Sequence, residues 1–200
     1  MTSSSLNDLI ELFSKLPSLG PRSARRAVLY LLKTKTLIPK LVNSLEEVQA
    51  NIKFCSICGN LDTIDPCNIC RNEKRKKDKI CVIEDISDLW AIEKSNAFNG
   101  QYHILGGVLS AIDGIGPQEL NIVSLFDRIK NGLVKEIILA TNATVEGQIT
   151  AQYIADHCDN SKILITRLAQ GMPMGSELEI LDYNTLSTAF KSRSKLDTSL

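Results

Sequence analysis

The sequence lacks an excess of charge of either sign: 23 Lys and Arg stand against 23 Asp and Glu over 200 residues. That balance excludes a strong global field for a polyanion, although local clusters can still make one. It also lacks an apolar run long enough to span a bilayer. The opening "MTSSSLNDLIELF" has neither a basic n-region nor an unbroken apolar stretch, so no secretory leader is read there and a cytoplasmic protein is expected. No Gly-x-x-x-x-Gly-Lys-Ser/Thr loop occurs, which argues against ATP hydrolysis. With 44% apolar residues the chain can bury an ordinary core, in one domain or in two to three small ones.

Cysteine, by contrast, is concentrated. Four of the six cysteines fall in "CSICGNLDTIDPCNIC", as Cys55, Cys58, Cys67 and Cys70. A Cys-x-x-Cys turn aims two thiolates at one point about 2.3 Å from each sulfur, and two such turns complete a tetrahedron around zinc. A full set of sulfur ligands leaves no open position for water or substrate, so the zinc expected here, one per chain, is structural. A redox pair would need one Cys-x-x-Cys at a helix start after a strand, a pattern absent here. Two disulfides would need an oxidising compartment and would leave Cys81 and Cys158 as thiols. Gly59 follows the first pair, where a tight turn favours positive φ, and Pro66 fixes the approach to the second.

Before the knuckle the chain reads as helical. Leu6, Leu9, Ile10, Phe13 and Leu16 recur at helical spacing with Ser5 placed to cap, and Pro17 stops the helix. Ala24, Ala27, Val28, Leu31 and Leu32 stripe a second helix opened by Ser23, and a third follows Pro39, over about 41–51. After the basic connector 71–79 the pattern changes. "ICVIE", "EIILA" and "KILIT" are short buried-strand candidates, the first two followed by the helical stretches "ISDLWAIEKS" and "TVEGQITAQYIADHC". Strands alternating with helices predict a parallel sheet covered on its faces. "KSRSKLDTSL" reads as a solvated tail.

Helix, then Leu-Gly-Pro, then an Arg-rich helix is a helix-hairpin-helix signal. Gly20 would let a phosphate approach backbone N–H groups at the positive end of the second helix, with Pro21 in its first turn. Arg22 and Arg26, four apart, share a face and would add charge-assisted contacts, whereas Arg25 points elsewhere. A plain helical hairpin remains open on this stretch alone. The later turn "DGIGPQEL" places Gln118 and Glu119 where arginines would stand, so it reads as structural.

"VIE" at one strand end and "ILATNATVEG" after another resemble the Toprim domain of topoisomerases and primases. There a Glu works beside an Asp-x-Asp pair that holds a divalent cation, usually Mg²⁺. Glu84 matches the first, but Asn142 and Thr144 stand in the aspartate positions; Glu146 remains, yet one or two carboxylates without the pair make a poor two-metal site. A Toprim fold without its chemistry is expected, with a Mg²⁺-dependent nuclease as the alternative.

Taken in order, "LPSLGPRSARR", the four cysteines, "ICVIED", "YHILGG", "DGIGP", "ATNATVEGQITA" and "TRLAQGMPMGSELEILD" resemble the RecR family of bacterial recombination mediators. Ser18, where the family usually has Gly, and Ala111 for a more usual proline are small departures. The resemblance implies an α+β chain in four parts: a helix-hairpin-helix region at 1–52, a zinc finger at 53–72, a Toprim domain at 79–174, and a Walker-B-like segment with helix and tail at 175–200. It implies no catalytic residue and sequence-independent binding of double- and single-stranded DNA through Gly20, Arg22, Arg25 and Arg26. It further implies a homo-oligomer (dimer or ring tetramer), and action with RecO and RecF in loading RecA at gaps independently of the RecBC route. Glu84 and Glu146 would belong to the partner surface.

Several conspicuous residues carry plainer readings. His103 is expected to be a packed core histidine, His157, near a helix end, to be solvated or to interact with the helix dipole, and Trp90 to be core or subunit interface. The basic run 71–79 fits DNA contacts and a solvated connector equally.

Overall fold

The computed structural model describes residues 4–158 and 163–194. The last six residues, expected as part of a tail, lie outside that range. The chain divides into two compact units at the step from Ile52 to Lys53.

The first unit is three helices: α1 (Ser4–Ser14), α2 (Pro21–Lys33) and α3 (Leu37–Asn51). Ala24 and Val28 on α2 are its fully buried residues, and the stripe Leu6, Leu9, Ile10 and Phe13 of α1 is half-buried. Two boundaries differ from the sequence reading. Ser5 lies inside α1 rather than capping it. Pro39 sits in the first turn of α3, where a missing N–H costs nothing because no intrahelical acceptor exists for it. Leu41, Leu45 and Val48 leave α3 with an exposed apolar face.

The second unit starts with a two-stranded antiparallel ribbon, β1 (Lys53–Phe54) and β2 (Leu61–Asp62), and the short helix α4 (Asn68–Arg71), which together carry the four cysteines. A sheet follows, built from β3 (Lys76–Ile83), β4 (Gly100–Ile104), β5 (Glu136–Leu139) and β6 (Leu164–Arg167), in the spatial order β4-β3-β5-β6 and wholly parallel. The connecting helices are α5 (Ile86–Ser95), α6 (Ile122–Lys130) and α7 (Val145–Asp156).

Alternation along β3 explains the two-sided core. Ile80 and Val82 join Ile122, Leu125, Ile129, Ile137, Leu139 and Ile154 on one face, while Cys81 and Ile83 join Leu89, Tyr102 and Ile104 on the other. Both faces are therefore covered, as a parallel sheet requires. The chain enters at β3, goes to one side for β4 and to the other for β5. Such a reversal opens a crevice at the carboxyl ends of the two strands between which it occurs.

Three elements are not evident in the sequence pattern. β4, "GQYHI", is buried along its whole length although Gln101 and His103 break any apolar run. α6 and the knuckle ribbon are the others. Near the C-terminal end, Leu178–Ile180 forms one 3-10 turn and Asp182 caps α8 (Tyr183–Lys191), its carboxylate accepting from the backbone of Asn184 at 2.9 Å and Thr185 at 3.0 Å. The Walker-B-like segment thus forms no strand, and its Asp is used as a helix cap. No helix among the described residues is long and apolar enough to cross a membrane.

Candidate metal centre and nucleic-acid interface

The four knuckle sulfurs lie within 4.8 Å of one another. Cys58 and Cys67 are 3.6 Å apart, and Cys55 and Cys70 3.9 Å. A tetrahedron with Zn–S bonds of about 2.3 Å has edges of about 3.8 Å, so the donor set fits zinc. The backbone builds this arrangement. The Gly59 amide donates to Cys55 O at 2.9 Å, closing the first turn, and Gly59 takes φ +79, with Ile104 O only 3.3 Å from where a Cβ would sit. Cys67 is the N-cap of α4, and Cys70 lies one turn further on. Asp65 accepts from the Ser56 amide at 2.8 Å and Asp62 from the Asn68 amide at 2.8 Å, bonds that hold both carboxyls below their usual range.

Sulfurs so close cannot all ionise unaided. The hydrogen bond shared by Cys58 and Cys67 raises the Cys58 thiol and lowers that of Cys67, and Cys58 in turn pushes Cys70 up. A divalent cation resolves this by replacing the protons. The knuckle is docked on the sheet through the Ile104 amide, which donates to Cys58 O at 2.9 Å.

The crevice between β3 and β5 holds the residues read as a lost metal site. Glu84 follows β3, and both of its oxygens are engaged by one residue: the Asn142 backbone amide donates to Oε1 at 2.7 Å and its side-chain amide to Oε2 at 2.6 Å. Thr144 caps α7, accepting from the Gly147 amide at 3.0 Å. A Cβ at Gly147 would lie 2.3 Å from Asn142 O and 2.8 Å from Glu84 Oε1, so nothing larger than glycine fits beside this pair. Glu146 is half-buried in the first turn of α7. Among the described residues the cysteine cluster is the one group of three or more metal-ligating side chains close enough to share an ion.

In the hairpin the geometry redistributes the expected roles. The left-handed residue is Ser18, at φ 65, whereas Gly20 is extended (φ −72, ψ 169) and serves as the N-cap of α2. No atom lies within 4 Å of where a Gly20 Cβ would sit, and no side chain caps the helix. The turn is thus open on its outer side. Ala24 and Val28 point inward, which sets Arg22, Arg26 and Lys33 along the opposite stripe, with Arg25 to one side. A shallow groove is lined by Ser23, Arg26, Ala27, Leu29, Tyr30 and Lys33. Lys33 and Tyr30 were not singled out in the sequence, although spacings of seven and four from Arg26 carry that signal.

The second glycine turn is closed instead. Ser110 and Ile115 bridge it, and Glu119 Oε2 accepts from the Gly116 amide at 2.9 Å. The basic run 71–79 is half spent on the fold: Arg71 donates to Asp65 O at 3.0 Å, Arg75 to Gly100 O at 2.9 Å and to Glu93, and Lys79 pairs with Glu136. Lys74, Lys76 and Lys77 remain exposed.

His103 is 1% exposed, with Nε2 2.7 Å from Asn121 O, and burial pushes its pKa down to about 4, leaving a neutral core ring. His157 stacks on Tyr153 with centroids 4.1 Å apart. Trp90 is 63% exposed on α5, so the core reading fails for it because Leu89 and Ile92 take the inward face.

A chain that strings a helical hairpin, a four-cysteine knuckle and a parallel α/β sheet with a disarmed acid site is a zinc-finger protein built on a Toprim-type domain. Family models agree segment by segment: the RecR helix-hairpin-helix matches residues 6–48, the RecR zinc finger domain of the four-cysteine type 52–72, and the Toprim domain 78–169. Curated proteins named "Recombination protein RecR" are similar over nearly the whole chain. That of Sinorhizobium medicae (strain WSM419) is 50% identical over 98% of both chains, and that of Allorhizobium ampelinum is 52% identical over 96% of both. The Rhizobium meliloti (strain 1021) protein is 51% identical, again over 96% of both. The chain belongs to the RecR family of recombination proteins, and its four-cysteine finger takes one structural zinc.

Proposed function

We propose that the protein is a non-enzymatic mediator of recombinational repair that binds DNA without regard to sequence. In this reading it acts with RecO and RecF to promote RecA loading at single-stranded gaps, outside the RecBC route. Membership of the family supports the setting. The observation that carries the DNA-binding part is the uncapped start of α2, with open space at Gly20 and exposed Arg22 and Arg26 beside it. Helix-start amides and guanidinium groups engage phosphate and read no base edge, so double- and single-stranded DNA are bound alike. Arg25, Tyr30 and Lys33 extend the same surface.

The way Glu84 is used supports the reading that the protein is not an enzyme. With each Glu84 oxygen already accepting a hydrogen bond from Asn142, and no aspartate pair beside it, a cation would have to compete with those bonds for a single acid. Glu84 and the less engaged Glu146 sit where a protein partner would find fixed negative charge. Exposed Leu41, Leu45 and Val48 on α3, with Ile180, Tyr183 and Phe190 near the C-terminal end, support self-association into a dimer or ring. In this reading residues 1–52 carry DNA contacts together with the α3 assembly face, 53–72 the zinc staple, 79–174 the partner face, and 175–194 further assembly contacts. None of the six cysteines forms a disulfide, which suits a reducing cytoplasm.

The test is Arg22→Ala combined with Arg26→Ala, with affinity measured for duplex and single-stranded oligonucleotides over a salt series. We expect about a hundredfold weaker binding at low salt and a salt slope smaller by about two. Unchanged affinity would overturn the reading. Incubation of the wild type with supercoiled and gapped DNA plus Mg²⁺ or Mn²⁺ is expected to leave both intact, and cleavage that disappears in Glu84→Gln would establish the nuclease instead.

A further inference from the structure

We propose that Arg128 is the counter-charge of the zinc–tetrathiolate centre, a guanidinium placed by α6 to neutralise the sulfurs from across β4. Four thiolates around a divalent cation carry net negative charge, and three of the four, Cys55, Cys58 and Cys67, are buried. Backbone amides offset this charge only in part, since they are neutral dipoles: that of Cys67 donates to Cys55 Sγ at 3.3 Å, and those of Asn60 and Cys70 also act on Cys58 and Cys67. The excess charge therefore needs another partner, because buried charge is tolerated only when it is paired.

Arg128 has the complementary deficiency. It projects from α6 beneath β4, with Nη1 donating to Tyr102 O at 2.6 Å and Nη2 to Gln101 Oε1 at 3.5 Å. Among the described residues no carboxylate forms an ion pair with it, unlike Arg75, whose guanidinium meets Glu93. Burial works against its charge, and the charges that favour it are those of Cys70, Cys58, Cys55 and Cys67. The fold explains why. Ile104 fixes the knuckle through Cys58 O, and two residues earlier on the same strand Tyr102 O fixes Arg128. Asn121, at the start of α6, donates to Ile104 O at 3.0 Å and so ties helix and strand together at the same place. The knuckle's own Arg71 is exposed and turned toward Asp65 O, away from this task. An unpaired guanidinium and an under-compensated cluster of sulfurs thus sit on adjoining elements, each supplying what the other lacks.

Arg128→Gln keeps a hydrogen-bond donor for Tyr102 O and removes the charge, whereas Arg128→Lys keeps the charge and removes the planar fork. The measurement is the rate of zinc transfer from the loaded full-length protein to an excess of a chromogenic chelator. We expect the Gln variant to release zinc at least about tenfold faster than wild type, and the Lys variant to stay within about threefold of it, the range in which outer partners of metal ligands act. Wild-type retention in the Gln variant would overturn the assignment. So would a Lys variant as leaky as the Gln variant, since hydrogen bonding and not charge would then be responsible. If the Gln variant does not fold, the Lys variant decides: release within about threefold of wild type supports the assignment, and release about tenfold faster overturns it.

Discussion

The hairpin turn at Gly20 and the strand-end crevice at Glu84 are both places where the backbone presents polar groups at the end of an element, and they are finished in opposite ways. At the hairpin the helix start is left uncapped, the space in front of it is empty, and the nearby charges are exposed arginines. At the crevice every piece is used internally: Asn142 takes both Glu84 oxygens, Thr144 caps α7, and Gly147 leaves no room. Buried polar groups are normally satisfied, and those at a binding surface wait for the ligand. On the proposed reading, what separates a site that takes a ligand from one that has lost it is unspent hydrogen-bonding capacity, more than which residue types are present.

Asn142→Asp would break the comparison most strongly. It sets a second carboxylate within hydrogen-bond distance of Glu84, and we expect a loss of about 2 kcal/mol in unfolding free energy at neutral pH. The sign is set by proton uptake. Two facing carboxylates raise each other's pKa in the folded state, so the deficit should shrink on acidification, as one of them takes a proton, and on adding Mg²⁺. Chemical denaturation at two pH values, with and without Mg²⁺, checks this, and equal stability to wild type would contradict it.

A smaller effect sharpens the hairpin side. Gly20→Ala meets no neighbouring atom and needs no unusual φ, so its stability cost should be at most about 1 kcal/mol, that of a poorer cap. DNA affinity should still fall by about tenfold, because a methyl group then stands in the phosphate's approach. Calorimetry together with a binding titration separates the two quantities. The smallest expected change is Ser18→Gly, which relieves a left-handed non-glycine and should stabilise the hairpin by about 0.5–1 kcal/mol with DNA binding unaltered.

Much of this was legible in the residues. Cysteine spacing located the metal centre, β-branched runs located β3, β5 and β6, and a glycine–proline turn followed by arginines located the hairpin. What stayed hidden had physical causes. β4 is interior yet carries Gln101 and His103, one polar atom of each engaged by Arg128 and Asn121, partners distant in sequence, while Gln101 Nε2 and His103 Nδ1 are buried without a hydrogen-bond partner. Trp90 falls at helical spacing with apolar neighbours, but which of them face inward depends on where the sheet lies. Ser18 took the left-handed conformation expected of glycine, since the turn needs that dihedral and tolerates serine. Arg128 has no local signal at all. It stands in the last turn of a helix, where a basic residue would ordinarily face solvent.

The bond from the Ile104 amide to Cys58 has a wider reach than holding the finger in place. β4 is the last strand on its side of the sheet, so its outer margin would otherwise offer unpaired backbone to any passing chain. The finger sits over that margin like a guard. Stripping the metal would then do more than loosen a small loop: it would uncover a pairing surface, and the apo protein should come out of solution by edge-to-edge aggregation well before its interior melts.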